Sequence, residues 1–110
     1  MMILEKREEE ALKHFKEVLT QQFGSEIVSI RLFGSKARGD SHATSDIDVL
    51  VVTQRDDWHL KERIGKVATA ILLDTGIYLS VKVMGQSSQQ RLLYVGSPFI
   101  RNIMSEGIAL

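Results

Sequence analysis

At 110 residues, 44% hydrophobic and 25% charged, the chain has the composition of a globular protein with one packed core rather than a disordered segment. Its 14 basic and 14 acidic residues cancel, which argues against long nucleic acid as the main ligand, because a phosphate-tracking surface usually shows as a basic excess. With no cysteine, disulfides, thiolate metal sites and cysteine nucleophiles are excluded.

No run nears the ~18–20 apolar residues of a membrane span. Met1 to Arg7 lacks the basic start and apolar centre of a signal peptide. A soluble, cytoplasmic protein is expected, with residues 1–110 forming a single domain. A chain this short leaves little for a separate substrate domain, so an acceptor or a lid is expected from another chain.

From about Glu5 to Phe23, Leu12, Phe15, Val18 (or Leu19) and Phe23 recur at helical spacing among Glu and Lys, predicting an amphipathic helix that Gly24 caps. Ile27 to Phe33 reads as a strand, broken by Gly34-Ser35. Lys36 to Arg38 can add one helical turn before Gly39, and Asp40 to Ser45 is a small, polar loop. Ile47 to Thr53 is apolar on both faces beyond Asp48, the pattern of an interior strand.

Asp57 is a natural N-cap for a helix from about Trp58 to Asp74, with Leu60, Ile64, Val67 (or Ala68) and Ile71 as its stripe and Gly76 closing it. Trp58 is expected to anchor the start of that helix in the core. Ile77 to Val83 alternates as a half-buried strand. Ser87 to Tyr94 suggests a short helix, and Ser97-Pro98 opens a last one whose apolar side is Phe99, Ile103 and Met104. The predicted class is α/β, a small mixed β-sheet with helices packed on it.

Chemistry concentrates between Gly34 and Asp48. Asp46 and Asp48, at i and i+2 of a strand, point to one face about 6.5 Å apart. Two carboxylates there can converge on a hard cation such as Mg2+, which shares oxygen ligands with phosphates. Leu50 and Val52 continue that face and should be buried, so Asp48 stands at the edge of a core. A charge there is costly unless a metal or cationic partner relieves it. Gly34 lets the backbone turn sharply and approach a ligand. The amides beyond it and the Ser35 hydroxyl can meet phosphate, with Lys36 and Arg38 adding positive charge and Arg31 nearby. Gly-Ser and Asp-x-Asp are each common alone. Ten residues separate Ser35 from Asp46, enough to place both features at neighbouring strand ends, where a metal-bound triphosphate is the simplest ligand that needs both.

Phe33-Gly34-Ser35-Lys36-Ala37-Arg38-Gly39, followed by Ser45-Asp46-Ile47-Asp48-Val49-Leu50-Val51, resembles the signature of the polymerase-β-like nucleotidyltransferase superfamily. The similarity is greatest to its minimal, antitoxin-like members and runs on to Ser97-Pro98-Phe99 and Glu106-Gly107-Ile108. The resemblance implies the nucleotidyltransferase fold and transfer of a nucleoside monophosphate, AMP from ATP, onto an acceptor hydroxyl. By motif position, Asp46 and Asp48 would be catalytic metal ligands for Mg2+. Gly34, Ser35, Lys36 and Arg38 would bind the nucleotide. It further implies a separate small helical partner protein, and leaves a homo-oligomer open.

One family feature is missing. A third carboxylate usually stands on the next strand, yet Tyr78, Ser80 and Lys82 are the polar residues there. A two-metal site is compatible with the acid pair, but a cation at Lys82 would repel the second ion. Two readings follow: a nucleotidyltransferase, or a weak or inactive relative that acts as an antitoxin or scaffold by binding its partner. Asp74 and Glu62 read as solvated acids, and His14 and His59 as surface. The three histidines lack metal-ligand spacing. His42 sits in the loop between the motifs.

Overall fold

A computed structural model of the protein describes residues 4–39 and 46–110. Helix α1 spans Lys6–Phe23. Its start is held by Glu8, whose Oε1 accepts the Glu5 amide at 2.9 Å. Leu12, Phe15, Leu19 and Phe23 are buried, so the stripe uses Leu19 rather than Val18. Gly24 follows at φ 51, its N–H donating to the Thr20 carbonyl.

A short 3-10 turn leads into β1 (Ile27–Phe33), and α2 (Ser35–Arg38) is the single turn beyond it. Strand β2 (Ile47–Thr53) is followed by α3 (Trp58–Thr75) and β3 (Leu79–Gly85). Helices α4 (Gln86–Tyr94) and α5 (Pro98–Glu106) and a short β4 (Ile108–Ala109) complete the order. Asp57 caps α3 as expected, its carboxylate accepting from His59 N at 2.9 Å and Leu60 N at 3.2 Å. Ala68, not Val67, completes the buried stripe of α3.

The four strands lie in the order β3-β2-β1-β4. β1 is antiparallel to both β2 and β4, and β2 is parallel to β3. The sheet is therefore mixed, with β2 and β1 interior. Side chains alternate between its faces. Ile47, Val49 and Val51 join Ile30, Leu32 and Leu79 under α1 and α3. Leu50 and Val52 join Ile100 and Ile103 of α5 on the opposite face, with Phe33, Met84 and Leu92 packed alongside. Covering both faces accounts for the near-continuous apolar run of β2. Asp48 is its only residue that is not buried.

Several expectations are corrected. Trp58 is 70% exposed: it lies two residues, about 200° around the helix, from Leu60 on the buried stripe. In α5 the buried pair is Ile100 and Ile103, while Phe99 and Met104 are largely exposed. β3 begins at Leu79 rather than Ile77, since its pairing with β2 starts at Ile47 opposite Leu79. β4 was not anticipated; it pairs with Arg31 and Leu32 of β1. Among the described residues, no helix is long and apolar enough to cross a membrane.

Candidate active site at the ends of two strands

The antiparallel register places Phe33 opposite Asp48, so the chain leaves β1 directly beside the acid that opens β2. Gly34 takes φ 75 and ψ −158, a region essentially reserved for glycine. A Cβ at this position would stand 2.5 Å from Asp48 Oδ2 and 3.3 Å from its Cγ. The turn therefore presses bare backbone against the carboxylate. The Gly34 carbonyl accepts the amides of Ala37 and Arg38, each at 3.1 Å, and closes the single turn of α2. Ser35, half-buried, begins that turn.

On the other side, the parallel register sets Ser80 opposite Asp48 and Lys82 opposite Leu50. The Ser80 hydroxyl donates to the Asp48 carboxylate. Burial, and then the negative charge of Asp46, push the Asp48 carboxyl above its ordinary value; Lys82, the Ser80 hydrogen bond and Arg38 oppose the rise. Asp46 itself is exposed, just ahead of β2.

Arg38 faces two acids. Its Nη1 lies 3.4 Å from Glu106 Oε2, with both side chains 43% exposed, and its charge also reaches Asp48. The pair bridges α2 and α5 across a cleft of about 320 Å3 lined by Phe33, Gly34, Arg38, Phe99, Asn102, Ile103 and Glu106. The Phe33 and Phe99 rings meet edge to face, centroids 5.8 Å apart.

Of the residues singled out in the sequence, Gly34 and Ser35 thus lie at one strand end with Asp46, Asp48 and Arg38. Lys36 points elsewhere. It is 2% exposed, and its Nζ lies 3.2 Å from Glu8 Oε2 and 3.3 Å from Oε1. Its charge ties the turn to α1 instead of opening onto the cleft. A signal for this partner exists in the sequence: Glu8 sits four residues before Leu12, on the apolar phase of α1. Ser80 was seen only as a polar residue, because its place opposite Asp48 depends on a parallel register. Phe99 and Asn102 join by the fold of the chain's end, which no local pattern announces. Asp40, Ser45 and His42 lie outside the described residues.

The acid pair suits one hard cation. Two carboxylates whose charges repel, one of them partly buried and hydrogen-bonded to Ser80, form an oxygen donor set that a divalent ion would relieve. Among the described residues no group of three or more His, Cys, Asp or Glu side chains comes together. Tyr78, ahead of β3, is exposed. Asp74 lies with His14, Arg63 and Lys66 along a separate cleft between α1 and α3, and Glu62 pairs with Lys66 at 3.7 Å on the surface.

Residues 12–109 match the family model of the nucleotidyltransferase domain, a span that contains both motifs. The chain belongs to the nucleotidyltransferase family. It is 34% identical over 103 residues to a Methanocaldococcus jannaschii protein provisionally named a protein adenylyltransferase, covering 94% of this chain and 97% of that one. Its fold is also similar to that of a solved structure described as a candidate minimal nucleotidyltransferase, with TM-score 0.60 and 22% identity over 93% of this chain and 94% of the other. A chain from a toxin–antitoxin structure with AMP-PNP shares the fold too, with TM-score 0.55 and 23% identity over 88% of this chain and 70% of the other. The nucleotidyltransferase fold expected from the sequence is the one observed.

Proposed function

We propose that this nucleotidyltransferase transfers AMP from ATP onto an acceptor hydroxyl of a partner protein. The observation that carries this reading is the packing of Gly34 against Asp48, which sets the turn after β1 beside the acid that opens β2. The name of the Methanocaldococcus relative supports adenylyl transfer to protein. The toxin–antitoxin structure with AMP-PNP supports an adenine nucleotide and a separate partner protein.

In this reading Asp46 and Asp48 hold Mg2+, with the Ser80 hydroxyl orienting Asp48. The bound ion would supply charge neutralisation for the triphosphate. The backbone bared by Gly34 and the Ser35 hydroxyl receive phosphate oxygens, and Arg38 supports them from the far side of the turn. The acceptor oxygen attacks the α-phosphorus in line. A new P–O bond forms, the α–β bridging bond breaks, pyrophosphate leaves and the acceptor's proton passes to solvent. Positioning and electrostatics carry most of such a transfer.

ATP labelled in its α-phosphate, supplied with Mg2+ and host lysate, tests the proposal. Mg2+-dependent labelling of a protein by the wild type, lost in Asp46→Asn, is expected. No transfer, or equal transfer by the variant, would overturn it.

A second reading has its own observation: Ser80 and Lys82, rather than an acid, flank Asp48 on β3. Here the chain acts by binding alone, as an antitoxin or scaffold. Pull-down and neutralisation assays with Asp46→Asn/Asp48→Asn separate the two. Survival of both effects in the double variant favours binding alone; their loss in a folded protein rejects it.

A further inference from the structure

The sheet sets a fixed cation next to the acid pair. Asp48 and Leu50 of β2, and Ser80 and Lys82 of β3, stand side by side on one face through the parallel register. Leu50 is fully buried beneath α5, which bars the Lys82 ammonium from the space over its own neighbour. β3 is an edge strand, and Lys82 is exposed along it. Its flexible stem lets the head group stay in water while reaching along the face. Both Lys82 and Arg38 act on Asp48 by their charge.

The charge of the cleft follows. Asp46 and Asp48 bring two negative charges. Lys82 and Arg38 return two positive ones, of which Arg38 shares its own with Glu106. Among the described residues, a second ion on the β3 side would meet Lys82 with only the Ser80 hydroxyl to hold it, and like charges repel.

We propose that Lys82 and Ser80 make this a one-cation site, in which the Lys82 ammonium stands in for a second divalent ion beside Asp48. The proposal rests on the metal-triphosphate reading above and specifies how that site is charged. Lys82 is a positioning charge: it limits loading to one ion.

Counting bound Mn2+ by electron paramagnetic resonance, with α,β-methylene-ATP as the uncleavable nucleotide, tests it. The wild type should take up one Mn2+ per chain, and Ser80→Asp/Lys82→Met should take up two. Two ions on the wild type, or one on the double variant folded as judged by circular dichroism, would overturn the proposal. Nucleotide-dependent Mn2+ uptake that is absent altogether would instead sink the metal-triphosphate reading and the proposal with it.

Lys82→Gln provides a milder variant, read without nucleotide. Removing that unit charge from the neighbourhood of the acid pair should tighten Mn2+ binding to it several-fold. Unchanged or weaker binding would contradict the role given to Lys82.

Discussion

Gly34 and Asp48 occupy one space: a Cβ on the glycine would stand 2.5 Å from the carboxylate oxygen Oδ2. Gly34 follows directly on β1 and Asp48 lies at the start of β2, so their contact joins the two strand ends. Gly34→Ala must relieve both that clash and the φ of 75. A stability loss of about 1–3 kcal/mol is expected from the backbone conformation, readable by urea unfolding. Calorimetry should show Mg-ATP affinity falling by at least about tenfold, the factor that ~1.4 kcal/mol of lost binding brings. A variant with unaltered affinity would show that the close approach is not part of the site.

The turn is also braced from behind by Glu8 and Lys36. With side chains 10% and 3% exposed, the pair is buried, and removing one partner of such a pair costs about 3–5 kcal/mol. Glu8→Ala should lose on the order of 3 kcal/mol in urea unfolding. Glu17→Ala, on the exposed side of α1, should stay within about 0.5 kcal/mol of wild type. Similar losses in both would remove the special role of the pair.

Asp48 carries a cost that its function explains. Burial and Asp46 raise its carboxyl above the ordinary value of 3.8. For a group raised on folding, the associated stability is present below the ordinary value and lost as pH rises through the raised one. Asp48→Asn removes the charge, so it should melt at a higher temperature than the wild type at pH 7, with the difference shrinking towards pH 4. Mg-ATP should raise the melting temperature of the wild type and leave that of the variant unmoved. A variant less stable than wild type at pH 7 would contradict the assignment of cost.

Asp56 has the opposite sign. The Ser88 hydroxyl at 2.7 Å and the Gly85 amide at 2.8 Å hold its carboxyl below the ordinary value. Its contribution is present above the ordinary carboxylate value and is lost as pH falls through the lowered one. Between pH 5 and 2 the unfolding stability of Asp56→Asn should therefore fall less steeply than that of the wild type. Parallel slopes would show that these hydrogen bonds do not favour the ionised form.

Much of this was legible because period and punctuation agree. The stripes of α1 and α3, the Asp57 cap and the doubly buried β2 follow from residue spacing alone. Trp58 departs from expectation because helical phase, not hydrophobicity, decides which side chains of α3 face the core, and β4 is too short for any periodic signal. In the site, Gly34 to Asp48 was readable since strand, turn and strand are consecutive. Ser80 beside Asp48 was not, because a parallel pairing links segments across an intervening helix and its register leaves no local mark. Lys36, expected to meet phosphate beside Ser35, forms an ion pair with Glu8, an acid that breaks the apolar phase of α1.

The proposed transfer needs Asp46 and Asp48 to hold a metal-bound triphosphate against the turn at Gly34-Ser35. Isothermal calorimetry of ATP with and without Mg2+, on the wild type and Asp46→Asn/Asp48→Asn, measures this directly. Mg2+-dependent binding of one nucleotide per chain is expected of the wild type, and none of the double variant. Equal binding by both proteins, or wild-type binding indifferent to Mg2+, would contradict it.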